Sequence, residues 1–122
     1  MMATVRLLLV DDEPSVLRLM AGYLQRVGYQ VDPCASGREA RAAFDAAPDQ
    51  YSAVIVDLSL PDLSGRELLL HVRHLRPGIA AVVCSGSPGR ADDHPGGPTR
   101  YLLKPFLPGM LADTVRDLLA PA

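Results

Sequence analysis

Three consecutive acids, Asp11, Asp12 and Glu13, follow the apolar run that ends at Val10 with nothing polar between. Asp57 follows Ala53–Val56 in the same way, Ser85 follows Cys84, and Lys104 follows Tyr101–Leu103. Lys104 is also the only lysine among twelve basic residues, which singles it out in a chain that otherwise uses arginine. Carboxylates brought within ~5 Å of one another repel by roughly 3 kcal/mol per pair at an effective dielectric of ~20. Such a cluster has to take up protons or bind a cation. Donors that are all oxygen, with a lysine and a hydroxyl beside them, point to Mg²⁺ and a phosphoryl group, since Mg²⁺ commonly takes one or two carboxylates, waters and a phosphate oxygen.

That chemistry requires the four positions to meet, and the elements between them supply the reason. Short apolar runs at Val5–Val10, Tyr29–Cys34, Ala53–Val56, Ile79–Cys84 and Tyr101–Leu103 alternate with helical patterns. Three of the runs are nearly uninterrupted, as strands buried on both faces of a parallel sheet should be. Tyr29–Cys34 carries Gln30 and Asp32 and reads as an edge strand. A first helix is expected from Pro14, with Val16, Leu17, Met20, Leu24 and Val27 at helical spacing and Gly28 as its stop. The second and third open with the same four letters, Ser36–Glu39 and Ser64–Glu67, each fitting a capping box. The third ends in basic residues before Pro77-Gly78, and a last helix carries Leu111, Val115, Leu118 and Leu119 on one stripe. Five strand–helix units imply a parallel α/β sheet with right-handed crossovers. All strand C-termini then lie along one edge, where ligands bind in open α/β folds.

Composition sets the outer bounds. With 122 residues, 48% hydrophobic and 21% charged, the chain reads as one globular domain spanning 1–122. A net charge of −2 gives no reason to expect direct contact with nucleic acid or an anionic membrane, and no run is apolar enough to span a bilayer. The apolar start is too short for a secretory signal, so a cytoplasmic location is expected. Cys34 and Cys84 lack metal-ligand spacing and read as small buried hydrophobes. There is no glycine-rich nucleotide loop.

The stretches Leu8–Pro14, Ile55–Gly65, Val82–Ser87 and Tyr101–Phe106 resemble the receiver domain of two-component response regulators, in the right order and spacing across essentially the whole chain. The resemblance implies a flavodoxin-like doubly wound sheet of five strands in order 2-1-3-4-5. It assigns Asp57 as phosphoacceptor, Asp12 and Asp57 as Mg²⁺ ligands, Asp11 as a ligand through water, and the backbone carbonyl of Ser59 as a further ligand. Ser85 and Lys104 would contact the phosphoryl group, Ser85 and Tyr101 would carry the switch, and the Lys104–Pro105 peptide would be cis. The implied partner is a histidine kinase or histidine phosphotransfer protein, with no activity beyond Mg²⁺-dependent self-phosphorylation and slow autodephosphorylation. On that strand order Cys34 and Cys84 stand three strand spacings apart, roughly 14 Å, too far for a disulfide. The same module also occurs alone, in relays and within hybrid histidine kinases.

Two places depart from the family pattern. Ser85 stands where threonine is common, and residues 87–100 hold three prolines and three glycines where a fourth helix is usual. That helix is therefore expected to be short or disordered, with a loop that orders on phosphorylation. His71 and His74 read as solvent-facing residues at a helix end, and Asp92, Asp93 and His94 as a solvated loop. Two other functions fit parts of the pattern. A Mg²⁺-dependent aspartyl-phosphate phosphatase would want a second acid/base carboxylate beside the nucleophile, where Ser59 stands two after Asp57. An unphosphorylated interaction module would not need the full set of acids, hydroxyl and lysine.

Overall fold

The apolar runs form five parallel strands joined by helices. The computed structural model describes residues 4–120. In chain order these are β1 (Arg6–Val10), α1 (Pro14–Arg26), β2 (Gln30–Cys34), α2 (Gly37–Ala46), β3 (Ala53–Asp57), α3 (Gly65–Leu75), β4 (Ala80–Ser85), β5 (Thr99–Leu103) and α4 (Pro108–Leu119). The sheet order is β2-β1-β3-β4-β5, with every neighbouring pair parallel. β2 lies at one edge, as its alternating pattern required.

Alternation along the strands splits the core into two layers. Leu7, Leu9, Ile55 and Val82 face one side and pack under Leu17, Met20, Leu24, Leu111 and Val115 of α1 and α4. Leu8, Val10, Val54, Val56 and Val83 face the other, under Ala40, Phe44, Leu68, Leu69 and Val72 of α2 and α3. Burying apolar side chains on both faces is what a central parallel strand does, and all five residues of β3 are buried. Cys34 and Cys84 fall in opposite layers, both buried with free thiols. Burial chiefly pushes each thiol up to about 12, so neither is a thiolate at neutral pH.

Helix starts follow the local chemistry with small differences. Pro14 opens α1, but Val27 is exposed and outside the apolar stripe, which consists of Leu17, Met20, Ala21 and Leu24. Ser36 and Ser64 accept the amides of Glu39 and Glu67 at 3.1 Å each. Glu39 returns to the amide of Ala35, one residue before the cap. Asp62, in the loop after β3, accepts the amides of Gly37 and Arg38, one on each carboxylate oxygen, at 3.0 Å. These bonds tie the loop after β3 to the start of α2.

No regular helix forms between β4 and β5. The segment holds one 3-10 turn, Ala91–Asp93, as its prolines and glycines lead one to expect. It is not an unattached loop, however. Arg73, read from sequence as a basic residue near a helix end, is only 7% exposed. Its guanidinium donates to the carbonyls of Ile79, His94, Pro95 and Pro98 and to the hydroxyl of Thr99, at 2.7–3.3 Å. Burial lowers its pKa, but arginine remains charged, and backbone dipoles take the place of a carboxylate partner. Two other residues also differ from expectation. His71 is half-buried and meets Asp45 at 2.6 Å, because α2 and α3 pack side by side, whereas His74 is exposed. His94 is buried, while Asp92 and Asp93 are exposed.

Arg73→Met keeps most of the side-chain volume but strips several buried acceptors of their donor. It is expected to lower folding stability by about 3 kcal/mol, since each unsatisfied buried group costs ~1–3 kcal/mol. Urea denaturation measures this. A midpoint equal to that of the unaltered protein would show that the loop is not held by this residue.

Candidate functional site

Strand register decides which residues meet. Val10 pairs with Val56, so Asp11 and Asp57 occupy the next position on adjacent strands. Asp57 in turn pairs with Cys84, and Ser85 pairs with Leu103, which puts Lys104 one step beyond. The amide of Lys104 donates to the carbonyl of Ser85 at 2.7 Å, extending the ladder past β5. The Lys104–Pro105 peptide is cis.

The side chains form one connected group. Lys104 Nζ lies 2.8 Å from Asp57 Oδ2 and 3.2 Å from Asp11 Oδ2. The other oxygen of each carboxylate accepts the amide two residues on: Ser59 N–H to Asp57 Oδ1 and Glu13 N–H to Asp11 Oδ1, both 2.9 Å. An aspartate that bonds its own chain in this way sets the local turn and fixes its own rotamer. Asp57 is 3% exposed and Asp11 6%, while Asp12 is exposed. Burial opposes the Lys104 ammonium, but the bond to Asp57 and the charges of Asp11 and Asp57 outweigh it, so its pKa stands above the ordinary lysine value.

Asp11, Asp12 and Asp57 each offer an oxygen within 4.8 Å of the other two. Three carboxylates against one ammonium leave about two negative charges at the sheet edge, which a divalent cation balances. The donors are hard oxygens, as Mg²⁺ prefers. Ser59 stands beside Asp57 through its amide, on the same loop. The residues present therefore fit a Mg²⁺ ion, which the Asp11, Asp12 and Asp57 carboxylates could hold.

Ser85 is buried at the end of β4, and its Oγ accepts the amide of Ser87 at 3.1 Å. Tyr101, half-buried on β5, donates its hydroxyl to the carbonyl of Ser87 at 2.6 Å. The two residues expected to carry the switch thus meet on opposite sides of Ser87. Gly65, the first residue of α3, sits so close to Asp57 that an added Cβ would lie 2.2 Å from the Asp57 carbonyl oxygen. Only glycine admits α3 at that distance from the backbone of Asp57. Among residues that sequence did not flag, Arg73 gave a usable sign: it falls four after Leu69, on the apolar stripe of α3.

Comparison with known proteins agrees with this arrangement. The family model for the response regulator receiver domain matches residues 7–116. The transcriptional regulatory protein TcrA of Mycobacterium tuberculosis is 37% identical over 105 residues, 84% of this chain and 41% of that one. The transcriptional regulatory protein SrrA of Staphylococcus aureus is 30% identical over 115 residues, 93% of this chain and 47% of that one. The chain thus spans less than half the length of these relatives. Among solved structures, the chemotaxis protein CheY4 of Vibrio cholerae superposes with a TM-score of 0.85 at 28% identity, covering 96% of this chain and all of that one. The response regulator TrrA of Thermotoga maritima, in complex with Mg²⁺ and beryllium fluoride, gives 0.81 at 29% identity over 95% of this chain and all of that one. Among the described residues no helix is long and apolar enough to cross a membrane. The chain belongs to the response regulator receiver domain family of two-component systems.

Proposed function

We propose that the chain accepts a phosphoryl group on Asp57 from the phosphohistidine of a histidine kinase or histidine phosphotransfer protein. The observation that carries this is the contact of Lys104 with Asp57 and Asp11 at the edge where Asp12 also arrives. A carboxylate oxygen of Asp57 forms the new O–P bond, the N–P bond breaks, and the leaving imidazole keeps its electron pair. Lys104, already on an Asp57 oxygen, is placed to meet the charge of the incoming phosphoryl oxygens. Ser85 donates its hydroxyl to another of them. Asp11, Asp12, Asp57 and the Ser59 carbonyl would hold Mg²⁺, which supplies counter-charge to the acidic group and the phosphoryl oxygens.

The acyl phosphate is kept long enough to signal because the residue two after Asp57 is Ser59, a poor general base. Removal of the phosphoryl group by water is accordingly slow. Drawing Ser85 toward the phosphoryl group strains its bond with Ser87, and Tyr101 responds through the Ser87 carbonyl. A partner surface outside this unit reads that change. Residues 1–122 act as one receiver unit, in the cytoplasm and without touching nucleic acid themselves.

Two measurements test the acceptor and its lysine. Incubation with acetyl phosphate and Mg²⁺, followed by mass spectrometry, is expected to place the adduct on Asp57 and to show no label in Asp57→Asn; full labelling of that variant rules the assignment out. Lys104→Met removes a positive charge that competes with the metal. It is expected to bind Mg²⁺ several-fold more tightly by calorimetry and yet to take up phosphoryl at least ~10-fold more slowly. Weaker Mg²⁺ binding in Lys104→Met would mean that the ammonium organises the acids instead of competing for them.

A further inference from the structure

A chain of contacts leads away from Ser85 through a residue that receiver chemistry does not require. Ser85 Oγ accepts from the Ser87 amide, and the Ser87 carbonyl accepts from Tyr101. The Tyr101 ring stacks on the ring of His94, with centroids 6.3 Å apart and planes 23° from parallel. The His94 carbonyl is in turn fixed by Arg73 at 2.7 Å. Ser85, Ser87, His94 and Tyr101 line one groove. Gly89 closes its rim so tightly that an added Cβ would lie 2.5 Å from the Tyr101 ring. The absence of a helix between β4 and β5 is what lets the loop fold back onto this tyrosine.

We propose that His94 is a proton-sensitive latch that holds Tyr101 in its resting position, so that acid and phosphorylation release the tyrosine together. His94 is 8% exposed in an offset stack with the Tyr101 ring, and that burial favours neutral imidazole. The charged groups around it act in both directions, and burial outweighs each of them. From α3 come Arg66 and Arg73, both positive; from its own loop comes Asp93, and from β5 the Tyr101 hydroxyl. Asp93 favours the protonated form and is the strongest of the three charges, while the two arginines oppose it. Burial, as the largest influence, holds the imidazole below its ordinary value of 6.5. A base whose pKa is lowered in one state binds its proton less well in that state. The latched form is therefore fully favoured above pH 6.5 and weakens as pH falls through the lowered value.

The latch rests on the proposed roles of Ser85 and Tyr101, and reciprocity gives a second consequence. If phosphorylation draws Tyr101 off His94, the imidazole gains access to water and its midpoint must rise. Aromatic carbon–proton NMR of the unphosphorylated protein from pH 8 to pH 5 follows both rings. The Tyr101 resonances are expected to move with the His94 midpoint, which lies below 6.5. They are expected to stay fixed in His94→Phe, which keeps a flat ring without a proton to gain. Tyr101 resonances that stay fixed while His94 titrates, or that follow His71 or His74 in the Phe variant, overturn the latch. The titration is then repeated with beryllium fluoride and Mg²⁺, adduct formation being read separately by fluorine NMR. With the adduct present, the His94 midpoint is expected to rise by about half a pH unit or more. An unchanged midpoint with adduct formed overturns the coupling. If no adduct forms, the phosphoacceptor assignment fails instead, and the first titration still decides the latch.

Discussion

Carboxylates gathered at one sheet edge repel one another, and the structure has to hold them there against that force. Asp57 bears the hardest version of the problem, because it ends a strand with every residue buried. Each of its oxygens has a fixed donor, the Ser59 amide on one side and the Lys104 ammonium on the other. Asp11 repeats the arrangement with Glu13 and the same lysine. One ammonium thus links β1, β3 and β5, and it does so because the register of four strands ends at the same level. A slip of one residue in β3 would exchange its two faces, moving Val54 and Val56 into the layer of Leu7 and Leu9. The two apolar layers are therefore what keep the charges aligned.

The same constraint explains the helices nearest the site. α3 must begin against Asp57, so its first residue is Gly65. The loop between them must not wander, and Asp62 fastens it to two amides at the start of α2. Loops that carry functional groups are usually the mobile parts of a domain, and here the loop after β3 joins a buried residue, Leu60, with amide hydrogen bonds to Asp62. That choice suits a site whose occupant changes charge, since polar contacts can be exchanged without opening the core.

Most of this was legible in the sequence because strand chemistry is local. Runs such as Ala53–Val56 announce burial on both faces, and the residue after each run must face the ligand edge of a parallel sheet. Asp11, Asp57, Ser85 and Lys104 could therefore be placed together without knowing any distance. Strand ends were less legible: β5 begins at Thr99, two residues before its apolar run, because Thr99 is buried by a bond from Arg73 and not by its own hydropathy. His71 and His94 were misread for the same reason. Asp45 lies 26 residues from His71, and Tyr101 follows His94 across the turn into β5, so only packing brings each pair into contact.

Arg73 shows how a segment too polar to form an amphipathic helix can still be fixed to the sheet. A helix in that position would bury an apolar stripe and satisfy its own backbone. The loop from His94 to Thr99 cannot do the latter, so its carbonyls turn inward to a single guanidinium with five donors. Apolar stripes can slide by small amounts at little cost, because their contacts are weak and numerous. Hydrogen bonds to a buried charge weaken steeply with angle and distance, so the loop has few intermediate positions open to it. The whole segment between β4 and β5 bears on Tyr101 through His94, and its start touches Ser85 through Ser87. A disturbance at Ser85 therefore meets a segment that is either held or released, which is the property a two-state signal needs.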